Sequence, residues 1–156
     1  MPMVNSEPLV ERGHEEPFVI QFSIFLSNRV GQFSELLAVL EAQKLEVAGF
    51  CVVDASDWAV VRMVFTEPDK AREVLKRHSI AFTEADVLAI VLEDASTLRR
   101  ACNALVAAEL NIEFAYPLFI QRNGRAVLAL HVEDHVTAFE VLNEHGFRLL
   151  DHEDVE

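Results

Sequence analysis

The chain has 156 residues, of which 51% are hydrophobic, and a formal net charge of −13 at pH 7. This length fits one domain or two small ones, and no apolar run approaches the ~20 residues that a membrane-spanning helix needs. Nucleic acids and anionic membrane surfaces are not expected as partners, because polyanions bind through a surplus of Lys and Arg, whereas 13 basic residues here face 26 acidic ones.

The N-terminal segment, residues 1–16, is predicted to be a disordered tail. It combines prolines with acidic residues and has neither the basic start nor the continuous apolar stretch of a signal peptide. Cys51 and Cys102 are isolated and lack the spacing of metal ligands, which is typical of buried thiols in a reducing compartment. We therefore expect a cytoplasmic protein.

The first half of the chain predicts the order strand, helix, strand, strand, helix, strand. Runs of β-branched and aromatic residues mark the strands, and apolar residues three or four positions apart mark the helices. The predicted elements are a strand at 18–26, a helix at 32–44, strands at 47–53 and 58–65, a helix that begins at 66–69, and a short strand at 80–82.

The second half predicts the same order again. Its elements are a strand at 87–92, a helix at 98–110, strands at 112–121 and 126–132, a helix through 138–142, and a strand at 147–150. Asn123 and Gly124 lie between two of these strands, and Asn-Gly favours a tight hairpin turn because both central positions need a positive φ.

The two halves are copies of one unit. Leu40 returns as Leu105 and Val74 returns as Val141, so the offset grows from 65 to 67 residues. Self-similarity at a nearly fixed period indicates a repeated architecture. We predict one unit at 17–83, a second unit at 84–151, and an acidic C-terminal tail at 152–156.

Each predicted unit has the β-α-β-β-α-β order of a ferredoxin-like, α+β fold. Both helices then lie on one face of an antiparallel sheet, and the other face is normally polar. The strands at 87–92 and 126–130 are apolar at every position, so their helix-free face must be covered by another sheet. That sheet comes from a second chain or from the neighbouring unit, and we infer a homodimer through sheet faces or edges.

Two short motifs and the repeated element order resemble a known family. Residues 27–37 read S-N-R-V-G-Q-F-S-E-L-L, and residues 108–116 read A-E-L-N-I-E-F-A-Y. Together they resemble a tandem pair of ACT domains, which are small regulatory modules that bind amino acids, over about residues 18–151. The first motif departs from the family pattern, since Val30 replaces a Pro and Phe33 replaces a Leu.

The resemblance implies a ligand site at the interface between two units. One side is the loop after the first strand, and the other is the entry to the second strand. The candidate ligand-binding residues are Asn28, Arg29, Val30, Gly31, Gln32, Asn111 and Ile112. A glycine lets a ligand approach the backbone, a helix N-terminus favours a carboxylate, and an Asn amide both donates and accepts hydrogen bonds.

The two copies retain different halves of this site. In the second copy, Glu93 and Ser96 replace the Asn and Gly of the loop, although the strand entry keeps Asn111. In the first copy the loop is intact, but Glu46 occupies the position of the strand-entry Asn. We therefore predict one amino-acid site per chain, shared between the first loop and the second strand entry.

Structural explanations of the same residues remain open. Asn28 can serve only as a helix cap, Gly31 only as a turn residue, and Asn111 only at a strand bend. Arg29 can be merely solvated. Arg62, in the middle of a strand, can pair with an acid across an oligomer interface or lie exposed at an edge.

No motif indicates catalysis, a cofactor or a metal. There is no P-loop and no H-E-x-x-H, and His131 and His135 belong to different predicted elements, so their side chains need not converge. We expect an allosteric, non-catalytic regulatory protein that binds a small amino acid and signals through oligomer or partner contacts, with a metabolic enzyme as a further candidate partner. The alternatives are a regulatory small subunit like that of acetolactate synthase, and a ligand-free oligomerisation module.

Overall fold

The structure is a computed structural model that describes residues 17–27, 29–55 and 57–156. The predicted tail at 1–16 and the candidate residue Asn28 therefore lie outside the described residues. No helix in the described part of the chain is long and apolar enough to cross a membrane.

The structure confirms the α+β class and the two β-α-β-β-α-β units. The elements are β1 Val19–Ser27, α1 Gln32–Ala42, β2 Val47–Asp54, β3 Trp58–Phe65, α2 Pro68–Arg77, β4 Phe82–Val91, α3 Thr97–Ala107, β5 Ile112–Arg122, β6 Arg125–Val132, α4 His135–Glu144, β7 Leu149–Leu150 and a 3-10 helix at His152–Asp154. The predicted hairpin between β5 and β6 is present, with φ values of 53° at Asn123 and 75° at Gly124.

One long strand, β4, replaces the two short strands that the sequence predicted at 80–82 and 87–92. Its first half pairs with β1 from Phe82 to Val87, and its second half pairs with β6 from Leu88 to Val91. The polar residues between the two predicted strands interrupted the apolar pattern. They are tolerated because this part of the strand is more exposed, and Glu84 there accepts two hydrogen bonds from Arg72 of α2.

The sheets of the two units are joined into one closed antiparallel barrel. The strand order is β1-β3-β2-β5-β6-β4-β7, and a further pairing of β1 with β4 closes the barrel. The first unit supplies β1, β2, β3 and the first half of β4. The second unit supplies β5, β6, β7 and the second half of β4, so this strand belongs to both units.

The helix-free faces of the two units pack against each other inside the barrel. This central core contains Val19, Val64, Val87, Ala89, Val91, Tyr116, Leu118, Val127, Ala129, Leu150 and Val155. The helices lie outside, each pair over its own unit, and form two further cores. The sheet that covers the apolar strands therefore comes from the neighbouring unit of the same chain.

A glycine permits the close approach of β2 and β5, the seam at which the two units meet. Gly49 of β2 pairs with Leu118 of β5, and this is the register contact between those strands. A Cβ atom on Gly49 would lie 2.5 Å from Leu118 Cδ2, 3.0 Å from Leu118 Cα and 3.2 Å from the Pro117 carbonyl oxygen. Glycine in a strand interior is favourable where another backbone approaches this closely.

The C-terminal residues, expected to be an acidic tail, dock against the barrel. Val155 is only 3% exposed and belongs to the central core. His152 Nδ1 accepts a hydrogen bond from the Ile20 N–H (3.2 Å), and its Nε2 lies 3.1 Å from the Phe65 carbonyl oxygen. This arrangement requires the neutral ring, with its proton on Nε2, and burial lowers the pKa of His152 below its ordinary value.

We predict that Gly49→Ala lowers the free energy of unfolding by about 1–3 kcal/mol, because the added methyl group overpacks the seam. The cost should be smaller in a Leu118→Ala background, which removes the nearest atom but leaves the backbone contacts. Urea denaturation of the four proteins of this double-mutant cycle measures both effects. An equal cost of Gly49→Ala in both backgrounds would contradict the predicted clash.

We also predict that His152 makes the chain less stable in mild acid. The folded-state pKa lies below the unfolded value of 6.5, so the unfolded chain binds more protons between these two pKa values and stability rises with pH there. The stabilisation is complete above the unfolded pKa and is lost as the pH falls through the folded one. Urea denaturation of the native protein and of His152→Gln from about pH 5 to 8 should give curves that converge in acid; parallel curves would refute the prediction.

Candidate functional site

The loop from β1 to α1 has an open backbone at the start of the helix. Gly31 is the N-cap residue, with φ 91°, and it makes no side-chain cap. This left-handed conformation favours glycine. No atom outside the adjacent residues lies within 4 Å of the position of a Cβ there, and Val30 is fully exposed. The loop thus leaves room for a ligand beside the N-terminus of α1.

Arg29 gives this loop a positive charge. Its backbone N–H donates to the Ser27 carbonyl oxygen (2.8 Å), and its Nε donates to Ser27 Oγ (3.2 Å). Its side chain is exposed, and its Nη groups make no hydrogen bond or ion pair with the residues that the structure describes. A cation beside a helix N-terminus, where backbone N–H groups are also available, favours an anion.

The equivalent loop of the second unit already contains a carboxylate. Asp94 occupies the position of Arg29, and its Oδ1 accepts hydrogen bonds from Ser96 N (2.8 Å) and Ser96 Oγ (2.7 Å). The Asp94 N–H in turn donates to Thr97 Oγ1 (3.0 Å). The bonds from Ser96 lower the pKa of Asp94 and keep it ionised. The N–H and the hydroxyl of Ser96, at the start of α3, therefore already have an acceptor within the chain.

The strand-entry residues lie at the start of β5. Ile112 is partly buried in the core of the second unit and pairs with Val132. Asn111 is exposed and lines a cavity of about 360 Å³. Four acidic residues line the same cavity, namely Glu109, Glu113, Glu133 and Asp134. This negative surface favours the ammonium end of an amino acid over its carboxylate end.

The structure brings the loop and the strand entry to one edge of the barrel but not into contact. In the order β1-β3-β2-β5, neighbouring strands are antiparallel, so the end of β1 and the start of β5 lie at the same edge. Three strand spacings separate them, about 14 Å. Within the described ranges, no hydrogen bond or ion pair joins Arg29, Val30, Gly31 or Gln32 to Asn111 or Ile112.

Comparison with known proteins decides the family. The family model described as an ACT domain pair matches residues 18–156. The chain belongs to the ACT domain pair family. This confirms the resemblance that the two motifs and the repeat suggested.

Solved structures share the fold of this ACT domain pair. Protein BT0572 from Bacteroides thetaiotaomicron has a TM-score of 0.80 and 27% identity, over 88% of this chain and 95% of that one. The regulatory subunit of aspartate kinase from Thermus thermophilus has a TM-score of 0.52 and 15% identity, over 83% and 93%. That from Thermus flavus has a TM-score of 0.50 and 13% identity, over 81% and 91%. A comparison with curated proteins finds no match.

A further cavity of the ACT domain pair lies away from the predicted site. It encloses about 670 Å³ and is lined by Lys44, Glu46, Thr66, Glu67, Pro68, Asp69, Lys70 and Glu156. Acidic residues outnumber the lysines there, and Lys70 Nζ already lies 3.8 Å from Glu67 Oε1. Gln32 lines a different, smaller cavity of about 200 Å³. Size alone therefore does not identify the amino-acid site.

His131 and His135 lie beside different acidic residues. His131 Nδ1 lies 2.9 Å from Glu113 Oε1, and His135 Nε2 lies 3.6 Å from Asp86 Oδ2. Among the residues with described positions, no group of three or more His, Cys, Asp or Glu side chains could hold a metal ion.

Sequence reasoning missed a polar cluster between the two sheets. Gln21 is 1% exposed, and its Oε1 accepts a hydrogen bond of 2.6 Å from the Tyr116 hydroxyl. Arg62 stacks on Phe114 in the same gap, with its Cζ 3.9 Å from the ring centroid. The available signal was the parity of Gln21, Ser23 and Arg62, which places all three on the helix-free face.

Proposed function

We propose that this ACT domain pair is a non-catalytic regulatory protein that binds a small amino acid at the loop 28–32. The observation that carries the proposal is the reversal of charge between Arg29 and Asp94 at equivalent loop positions. The family supports a regulatory role, and the open loop around Gly31 offers backbone groups and a cation to a carboxylate. The second loop, which Asp94 occupies, would repel the same ligand.

Asn111 and Ile112 complete the proposed site from the β5 entry. Their acidic surroundings suit the ammonium group of a ligand whose carboxylate lies at Arg29. Because β3 and β2 separate the two half-sites within one chain, we propose that a homodimer joins the loop of one chain to the β5 entry of the other. Ligand binding then stabilises the dimer, and by linkage the dimer binds ligand more tightly.

A second candidate function is the regulation of a separate amino-acid biosynthetic enzyme. The regulatory subunits of aspartate kinase share the fold of this chain and are covered by it over 93% and 91% of their length. A free-standing pair of this size is thus a known form of regulatory subunit. Copurification with a catalytic subunit distinguishes this function from action through the homodimer alone. We place both candidates in the cytoplasm, which fits the free thiols of Cys51 and Cys102.

The ligand is tested by thermal shift and calorimetry against the twenty amino acids. A ligand at 100 times its Kd should add about 2.7 kcal/mol to the free energy of unfolding. No response to any amino acid would leave the ligand-free oligomerisation module as the function.

Substitutions of Asn28, Arg29 or Asn111 by Ala should each weaken binding, about tenfold for the charged contact of Arg29. Undiminished binding by both Asn28→Ala and Asn111→Ala would refute the shared site.

Two matched controls separate binding from stability. Arg125→Ala removes an exposed Arg at the β5–β6 hairpin and should leave ligand affinity unchanged. Gly146→Ala matches Gly31→Ala, because both glycines have a positive φ (83° and 91°) and open space at the Cβ position. Both should cost about 1 kcal/mol of stability, but only Gly31→Ala should weaken ligand binding. Equal affinities of the two variants would contradict a ligand at the loop.

A further inference from the structure

A row of polar side chains crosses the first unit's sheet on the face that lines the gap between the two sheets. Ser23 of β1 pairs with Arg62 of β3 on one side and with Thr83 of β4 on the other, and Cys51 of β2 pairs with Arg62. Residues that are paired across neighbouring strands share a face. The second unit contributes Phe114 and Tyr116 to the other side of this gap.

Stacking on Phe114 engages the face of the Arg62 guanidinium group and supplies no acceptor for its in-plane N–H groups. Its Cζ lies 3.9 Å from the centroid of the Phe114 ring, which engages the face of the guanidinium. The five N–H groups of a guanidinium lie in its plane and are suited to planar, bidentate acceptors. Arg62 Nε is shielded from solvent and has no hydrogen-bond partner in the described part of the chain, although the side chain as a whole is only partly buried.

A chain of two hydrogen bonds beside Arg62 leads from Tyr116 through Gln21 to Ser23, and the Ser23 hydroxyl at its end still has a proton to donate. The Tyr116 hydroxyl donates to Gln21 Oε1 (2.6 Å), and Gln21 Nε2 donates to Ser23 Oγ (3.3 Å). The Ser23 oxygen therefore already accepts a hydrogen bond, and its proton remains to be donated. Its neighbour across the strands is Arg62, which has donors only. Neither the Ser23 hydroxyl nor the Arg62 guanidinium finds an acceptor among residues 17–27, 29–55 and 57–156.

We propose that Arg62 and Ser23 bind the carboxylate of a small organic acid in the gap between the two sheets. A carboxylate only accepts hydrogen bonds, and its two oxygens match Nε and one Nη of Arg62 side-on, with Ser23 as a third donor. A single cation suits a monoanion. The body of the acid lies against the apolar Val60, which is partly buried next to Arg62 on the same face, and against the edge of the Phe114 ring. The two faces of that ring are covered by Arg62 and by the stacked ring of His131. This site shares no residue with the proposed amino-acid loop.

The proposal is tested by NMR titration of the native protein with benzoate, observed at the Nε–H signal of Arg62. Benzamide, which has the same shape without the charge, is the matched control. We expect a saturable shift of the Arg62 signal with benzoate and none with benzamide. No shift with benzoate, or equal shifts with both compounds, would overturn the proposal. So would a signal that changes on dilution without benzoate, because the acceptor would then be an acid of a second copy.

Three variants locate the effect. Arg62→Lys keeps the charge but loses the planar fork, so benzoate affinity measured by calorimetry should fall about tenfold or more. Arg125→Ala, which removes an exposed Arg at the β5–β6 hairpin, should leave both the Arg62 shift and the benzoate affinity unchanged. If Arg29→Ala rather than Arg62→Lys abolishes benzoate binding, the carboxylate lies at the loop and the Arg62 site is refuted. Circular dichroism of Arg62→Lys checks that its fold is retained.

Discussion

Burial of the two helix-free faces is the constraint on which the rest of the structure depends. Each unit has two helices, which cover one face of its sheet, and two strands of the second unit, β6 and the second half of β4, are apolar on both faces. At about 25 cal/mol per Å² of apolar surface, an exposed face would be costly. The chain meets this constraint by turning the two faces towards each other. The strand β4 is shared by both units, and Gly49 lets β2 and β5 approach closely enough to close the other side.

The closure of the barrel determines where polar side chains can lie between the two sheets. One end of the gap is filled by apolar side chains and sealed by Val155 and the ring of His152. Towards the other end, the Tyr116 hydroxyl donates to Gln21. Beyond them Arg62 is stacked, and its Nε finds no acceptor among the described residues. The outer helices are not involved in this gap. The loops that precede α1 and α3 lie outside it, and their side chains do not belong to the central core.

The sequence predicted the units because periodicity and repetition are local signals. The predicted bounds of β3 and the predicted start of α1 agree with the structure. The repeat, together with its two motifs, indicated the family that the family model confirms. The closure of the barrel was not predictable in the same way. It depends on β4 continuing through the polar residues 83–86, on a close approach at Gly49, and on a C-terminal segment whose acidic composition conceals one buried valine. Each of these is a long-range packing event for which the local pattern carries no signal.

The candidate site was predictable in its chemistry but not in its geometry. Aligning the copies identified the loop with Gly31 and the entry with Asn111, because the substitutions at equivalent positions are visible in the sequence. The alignment could not show that β3 and β2 separate the loop from the β5 entry, because it contains no information on how the two units pack. Nor did it show that Asp94 would fold back onto Ser96 and fill the second loop, which depends on side-chain conformation.

The position of β1 indicates how binding at the loop can reach the rest of the molecule. The loop follows β1, and β1 is hydrogen-bonded on both sides, to β3 and to the first half of β4. Because β4 continues into the second unit, backbone hydrogen bonds connect β1 to a strand that both units share. Ser23 of β1 also lies beside Arg62, so the two positions proposed to accept a carboxylate are connected through one strand. A ligand that binds one arrangement of this strand more tightly than another must favour that arrangement throughout the barrel, by no more than its difference in binding free energy.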